Sequence, residues 1–420
     1  MTFWQRIRPL RARLFLILAI IGPGIITANV DNDAGGIATY SVAGARYGYG
    51  LLWMLPLIAL ALILVQEMSA RLGVVTGKGL ADLIRESMGV RATATIIGLM
   101  LFANLANTVS EFAGVAASMQ IFGVSKFISV PLVAGLVWVL IVRANYRSVE
   151  RVFLVASALY LSYIASGILA NPPWPVVVRA MAMPSFVPEA GFITLFITVI
   201  GTTIAPWMQF YQQASVVDKG LNPVDYAYAR LDVIVGSLFA VLVAGFIVIA
   251  CAATLFANGV SIQTAEDAAI ALRPLAGPYA STLFALGLLN ASVFSAAILP
   301  LSTAYVVCEA FGWEKGVSHS LREAPVFFGT YTALIALGAG IILLPLKSLI
   351  QAMLASQTLN GVLLPVILIV MLRLINNRQL MGKFANGRVM NVISWIMVTI
   401  LTTLTALLVL VSVAPGVLGG

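Results

Sequence analysis

The chain has 420 residues, 61% hydrophobic and 10% charged, against roughly 25% charged in an ordinary soluble domain. With a mean hydropathy of +1.02 it reads as an integral membrane protein, and the many separate apolar runs exclude a single anchor. Two cysteines and one histidine leave no disulfide framework and no histidine-rich metal site. The net charge of +8 suggests nucleic acid only until the charges are placed on loops, where they report topology.

Eleven hydrophobic segments are expected, at 14–42, 49–72, 92–122, 127–143, 149–170, 190–218, 232–257, 277–311, 324–345, 348–373 and 388–412. Most exceed the ~20 residues that cross a bilayer core, and the absence of period-two alternation excludes strands. The basic stretch Met1 to Arg13 leads into a span too long for a cleavable signal.

The first span is interrupted by Gly22-Pro23-Gly24 and by Asp31-Asn32-Asp33-Ala34-Gly35-Gly36. An ionised carboxylate in hydrocarbon costs several kcal/mol or more, so such residues face a cavity and carry function. Glycines beside them let the backbone leave the helix and offer its carbonyls to an ion. Asp31 and Asp33 lie about 200° apart on an intact helix, whereas on an unwound segment both can line one cavity. Asp31 has the alternative role of satisfying free backbone N–H groups.

In the second span Glu67 precedes Arg71 by one turn, the spacing of an ion pair. The third carries a polar stripe, Asn104, Asn107, Thr108 and Glu111, on one face. The asparagines read as an interhelical hydrogen-bond seam. Glu111 is too costly to bury alone and is expected to face an aqueous cavity or to carry a proton. The loop 171–189 is proline-rich. The sixth span is interrupted at Ala205-Pro206-Trp207, where proline removes a backbone donor and clashes with the preceding turn. Trp207 reads as a cavity wall, with lipid-facing bulk as the alternative. The loop 258–276 is expected to hold a short surface helix. On the eighth span Asn290, Ser292 and Ser295 either flank the cavity or pack helices. Glu309 is expected at the interface and His319 in a loop.

With a cytoplasmic N-terminus, nineteen of the 24 basic residues fall inside, and Arg46, Lys126, Arg179, Arg273 and Lys347 fall outside. This places the C-terminus outside in a multi-pass protein of the plasma (inner) membrane. Interruptions five spans apart, in spans one and six, are the pattern of two inverted five-helix repeats with discontinuous first helices. The repeats are expected over 14–170 and 190–373, with an added helix over 388–412.

The runs Gly22-Pro23, Ala38-Thr39, Ala43 to Trp53, Ser69 to Lys78 with Leu80-Ala81, and Leu380 to Phe384 resemble the Nramp family of divalent-metal transporters over nearly the whole chain. The resemblance implies an all-α polytopic membrane fold, a LeuT-like 5+5 inverted repeat with an eleventh helix, and movement of divalent cations by alternating access. The family's first-helix motif Asp-Pro-Gly-Asn falls on Asp33, Ala34, Gly35 and Gly36, so the acid is kept and the amide lost. Its Met-Pro-His falls on Ala205, Pro206 and Trp207. A second histidine falls on Gln212, and the third-span Asp-x-x-Glu reads Thr108 and Glu111. This combination is similar to the Nramp-related magnesium transporter branch.

Loss of methionine sulfur removes a soft ligand that favours manganese and iron. Magnesium takes an oxygen shell and holds its waters. The metal site implied is built from Asp33 and Asp31, carbonyls around Val30 and Thr202, and Gln357. At Gly36 and Ala205 side-chain volume has been removed. Trp207, Gln212, Thr108, Glu111 and Asn107 are the cavity or coupling residues. The expected function is carriage of Mg2+ with Mn2+ accepted and without obligatory proton coupling. The alternatives are a proton-coupled Mn2+/Fe2+ importer and a sodium-coupled symporter for a small solute. No cofactor, nucleic acid or obligatory protein partner is implied, and the lack of a nucleophile–base pair or zinc signature argues against an enzyme.

Overall fold

The computed structural model describes residues 30–143, 157–187, 189–317 and 319–413. Met1 to Arg13, Gly22-Pro23 and the first parts of the 14–42 and 149–170 spans lie outside the described residues. The main helices are α1 (Ala34–Tyr47), α2 (Met54–Thr76), α3 (Leu80–Ile121), α4 (Lys126–Arg143), α5 (Leu161–Leu169), α6 (Trp174–Ala182), α7 (Ala190–Thr203), α8 (Pro206–Asp218), α9 (Tyr226–Thr254), α10 (Ala280–Phe311), α11 (Pro325–Leu343), α12 (Leu349–Ile375) and α13 (Arg388–Val413). Among the described residues, nine helical stretches are long and apolar enough to cross a membrane, α7 and α8 counting as one. These nine correspond to the expected spans two to four and six to eleven.

Helix ends follow backbone chemistry. Gly77 at φ 64° closes α2 and Gly312 at φ 72° closes α10, the left-handed C-terminal conformation that glycine adopts without a Cβ clash. Gly89 at φ 77° lies inside α3. A short charged helix from Leu80 therefore precedes the expected third span, the backbone breaks at Gly89, and the apolar helix that follows starts close to the expected 92. Apolar periodicity is interrupted at Asp82, Arg85 and Glu86 although the backbone before Gly89 is helical. The 171–189 loop contains α6, with Val177 buried. The 258–276 loop holds Ala265–Ala269, started by a capping box in which Thr264 and Asp267 each accept from the other's backbone N–H.

Packing follows a repeated scheme. α1 lies on α9 as α8 lies on α2, and α3 lies on α11 as α10 lies on α4; α2 meets α9 and α3 meets α10. Exchanging α1, α2, α3 and α4 with the α7–α8 pair, α9, α10 and α11 reproduces these contacts, as an inverted repeat requires. α12 sits at the centre, against α3, α7 and α1, while α13 packs outside on α12 and α7.

Two of the runs that carried the family resemblance meet in space. Arg71 pairs with Glu67 at 3.1 Å and donates to Phe384 O at 3.0 Å and to Asn386 Oδ1 at 2.6 Å. Tyr226 donates to the same Glu67. The expected ion pair is thus one member of a clamp joining α2, the start of α9 and the segment before α13. Glu309, in the last turn of α10, is buried and held by Lys315 at 3.0 Å, which also reaches Asp82 at 3.2 Å.

The closest helix contact on α12 is backbone to backbone. A Cβ added at Gly201 would lie 2.7 Å from Gly361 Cα, and one at Gly361 would lie 2.5 Å from Ile197 O. Gly361→Val should therefore cost about 1–3 kcal/mol through overpacking and lower the melting temperature of the detergent-solubilised protein. An unchanged melting curve would contradict this contact.

Candidate functional site

In the first span helical backbone ends at Asp31 and resumes at Ala34. Asp33 is the N-cap of α1, with extended backbone, and its Oδ1 accepts from Gly36 N at 2.6 Å. Ala34 N–H donates to Glu111 Oε2 on α3 at 3.3 Å. Two carboxyls therefore take up N–H groups that a helix start leaves free, at the end where the helix dipole favours negative charge. Asn32 donates to Ala240 O on α9 at 3.4 Å.

The second break lies at Ile204 and Ala205, between α7 and α8, with Pro206 as first residue of α8. Proline is suited to that position because its missing N–H would be unbonded there anyway. In the orientation that satisfies its amide, Gln209 donates to Ala205 O at 2.8 Å and Pro206 O at 2.6 Å. Met208 N–H also bonds Ala205 O, at 3.1 Å. The Ala205 carbonyl is thus engaged within its own turn. Tyr40 and Thr203 share a hydroxyl–hydroxyl bond of 2.7 Å, which fastens α1 to the end of α7.

The two breaks converge at Gly36. A methyl group there would lie 2.6 Å from Asp31 O, 3.3 Å from Asp33 Oδ1 and 3.3 Å from Thr202 Oγ1. One carbonyl, one carboxylate and one hydroxyl thus gather within 3.3 Å of where a Gly36 side chain would begin, an approach that only glycine permits. The carbonyl reaching it belongs to Asp31, one residue beyond the expected Val30, and Thr202 contributes its hydroxyl. Thr202 Oγ1 and both carboxylate oxygens of Asp31 are buried without a hydrogen-bond partner. Leaving such atoms unpaired costs about 1–3 kcal/mol each and more when charged, so a cation bound beside them would relieve that cost. Among the described residues no three Asp, Glu, His or Cys side chains gather to hold a metal.

The remaining expected residues divide. Trp207 is 2% exposed and stands 6.1 Å from Tyr211, ring centre to ring centre, so it is interior bulk rather than lipid-facing. Gln212 is buried on α8. Gln357 packs its amide over Gly35, with Oε1 accepting from Asn360 Nδ2 at 2.9 Å.

The third-span stripe fans out to four helices. Asn104 donates to Thr303 on α10 at 2.7 Å, Asn107 pairs with Asn360 on α12, and Glu111 meets α1. Thr108 returns its hydroxyl to Asn104 O at 2.7 Å and lays its methyl on Gly338 of α11. Thr108 is turned toward α11 and away from the break. On α10, Ser292 bonds Leu288 O at 2.7 Å and crowds Gly114, so it packs helices together. Tyr40, Gln209 and Asn360 were not expected at the site. Their signals were local: Gln209 stands four residues after Ala205, and Asn360 one turn after Gln357 in an otherwise apolar helix.

Comparison with known proteins follows this geometry. A family described as natural resistance-associated macrophage protein-like (Nramp) matches residues 24–411. The divalent metal cation transporter MntH of Ralstonia nicotianae is 29% identical over 406 residues, 92% of this chain and 89% of that protein. Its counterpart from Yersinia pestis is 29% identical over 423 residues, 96% of this chain and 97% of that protein. The crystal structure of the Eremococcus coleocola manganese transporter, bound to an aromatic bis-isothiourea substituted compound, superposes with a TM-score of 0.78. Its identity is 23%, over 93% of this chain and 86% of that one. The nucleobase-cation-symport transporter Mhp1 gives a TM-score of 0.60 at 14% identity, over 94% and 91% of the two chains. These two structural likenesses speak to the fold alone.

Gly36→Ala places a methyl where the three oxygens meet. It should weaken divalent-cation binding at least about tenfold, or ~1.4 kcal/mol, in calorimetric titration of the purified protein. Affinity equal to the parent chain would show that these three oxygens do not hold the ion.

Proposed function

The chain belongs to the Nramp family and is a multi-pass divalent-metal-cation transporter; from that premise we propose that it carries Mg2+, accepts Mn2+, and works by alternating access without obligatory proton coupling. The observation that carries this reading is the meeting of Asp31 O, Asp33 Oδ1 and Thr202 Oγ1 at Gly36, with alanine and tryptophan where the family has a thioether and an imidazole. Oxygen donors without sulfur suit a hard cation. Space left by Gly36 and Ala205 suits an ion that keeps part of its water shell, as Mg2+ does. Asp31 and Asp33 supply the charge, and Gln357 and Trp207 close the cavity.

The orientation that goes with this reading has the N-terminus in the cytoplasm, from the sorting of basic residues. An interior-negative potential then drives a divalent cation inward by ~4.6 kcal/mol per 100 mV, twice the single-charge value. No second energy source is needed. Family membership sets aside the sodium-coupled solute symporter.

One observation favours a second reading, the proton-coupled Mn2+ importer. Glu111 approaches the Asp33 carboxyl while accepting from Ala34 N–H, and two adjoining carboxyls can share and release a proton. Against it, the relay positions hold Trp207, Gln212 and a back-bonded Thr108, none of which titrates near neutrality.

Two measurements decide between the readings. In liposomes, millimolar Mg2+ should block Mn2+ uptake, Asp33→Ala should abolish uptake of both ions, and the lumen should not acidify as metal enters. Acidification in step with metal uptake would establish the second reading. Ala205→Met restores a soft ligand and should shift preference toward Mn2+ over Mg2+ by about tenfold, or ~1.4 kcal/mol, in paired uptake rates. An unaltered ratio would remove the ligand-softness argument.

A further inference from the structure

Next to the break lies a chain of three buried amides that the transport reading leaves unexplained. Asn107 on α3 and Asn360 on α12 exchange two hydrogen bonds, Asn107 Nδ2 to Asn360 Oδ1 at 3.1 Å and Asn360 Nδ2 to Asn107 Oδ1 at 2.9 Å. The second hydrogen of Asn360 Nδ2 goes to Gln357 Oε1, also at 2.9 Å. All three residues are 1% exposed. With Oε1 taken, Gln357 turns Nε2 toward Gly35 and the Asp33 carboxyl. What Gln357 presents at the break is a donor.

An amide oxygen can ligate a cation, whereas the amide nitrogen is a donor only. Turning Gln357 alone by half a rotation would bring Oε1 to the break but set its Nε2 against Asn360 Nδ2, donor facing donor. Turning all three amides together keeps every bond. Asn360 Oδ1 then accepts from both Asn107 Nδ2 and Gln357 Nε2, and Asn360 Nδ2 still donates to Asn107 Oδ1. Amide oxygen and nitrogen are nearly equal in size, so both arrangements fill the same space, and mixed arrangements leave a buried group unpaired. The α12 backbone is held against α7 at Gly201 and Gly361, which leaves amide rotation as the local adjustment.

We infer that Asn107 and Asn360 are positioning residues for transport, forming a two-state amide relay that turns the Gln357 nitrogen to the break when it is empty and the oxygen when a divalent cation is bound. The inference rests on the reading of the Asp33 break as the cation site. In the empty state the –NH2 group gives the Asp33 carboxyl a partial positive charge in place of the ion. In the loaded state the relay adds an oxygen to the shell. The contact between α3 and α12 therefore senses occupancy, as a bistable element must if it is to couple a site to helix movement.

Asn360→Asp puts an acceptor-only group at the centre of the relay and locks Gln357 with its oxygen at the break. Mg2+ titrated into the purified full-length protein should bind about tenfold more tightly, while kcat for uptake into liposomes falls. In a Gln357→Leu background the same substitution should no longer tighten binding, since the coupling runs through that amide. Tightening that persists without Gln357 would mean that the added charge acts directly, and would overturn the inference. A parallel loss of affinity and rate in Asn360→Asp, as a packing defect gives, would overturn it too. The parent protein offers a test without any variant. With side-chain amides labelled by 15N, the NH2 signals of Asn107, Asn360 and Gln357 should all move with one midpoint on addition of Mg2+. Movement of Gln357 alone, or of none, refutes the relay. Asp33→Ala separates the two levels: binding retained in that variant overturns the cation-site reading itself.

Discussion

In a hydrocarbon environment every backbone N–H and C=O has to find a partner inside the protein, and the architecture is organised around two places where a helix gives its partners up. At the first break the freed N–H groups of Gly36 and Ala34 are taken by the carboxyls of Asp33 and Glu111. At the second, Gln209 covers the carbonyls of Ala205 and Pro206. The side chains that make the first break tolerable also make it negative. Oxygens of Asp31 and Thr202 remain without a hydrogen-bond partner, and these are the groups on which the proposed cation site rests.

Close approach of backbones is what brings those groups together. Gly35 admits the Gln357 amide, Gly36 leaves the point where three oxygens meet, and Gly201 and Gly361 let α7 and α12 touch. At Gly114 a side chain would collide with Ser292 and Ala34, so α1, α3 and α10 are equally tight. Lipid tails provide no hydrophobic force between helices, and small residues that permit close packing and interhelical hydrogen bonds supply the attraction instead. The same tightness makes the surroundings of the site respond in discrete steps rather than by gradual deformation.

Reading the chain residue by residue reached some of this and missed the rest for identifiable reasons. Ala205-Pro206 was legible as a break because proline acts on its own backbone. Glu67 and Arg71 were legible as a pair because four residues make one turn. The stripe from Asn104 to Glu111 shares one side of α3, yet its members contact α10, α12, α11 and α1. Periodicity gives the direction of a side chain from its own axis and is silent on which helix lies there. Likewise Leu80 to Met88 was taken for loop because its charges interrupt the apolar pattern, although its backbone is helical up to the break at Gly89.

The sequence by itself determined that the chain spans a membrane many times, that its first and sixth spans are interrupted by acids, glycines and a proline, and that Ala205 to Trp207 carry neither sulfur nor imidazole. These are properties of local covalent chemistry and of hydrophobic length, and they hold wherever the segments end up. Only the tertiary structure decided that Asp31 offers its carbonyl as well as its carboxylate, that Thr202 completes the point at Gly36, and that Gln357 shows its nitrogen because Asn107 and Asn360 hold its oxygen. Those facts depend on atoms separated by up to 253 positions along the chain, and hydrogen-bond polarity between such atoms is settled only when the helices carrying them have packed.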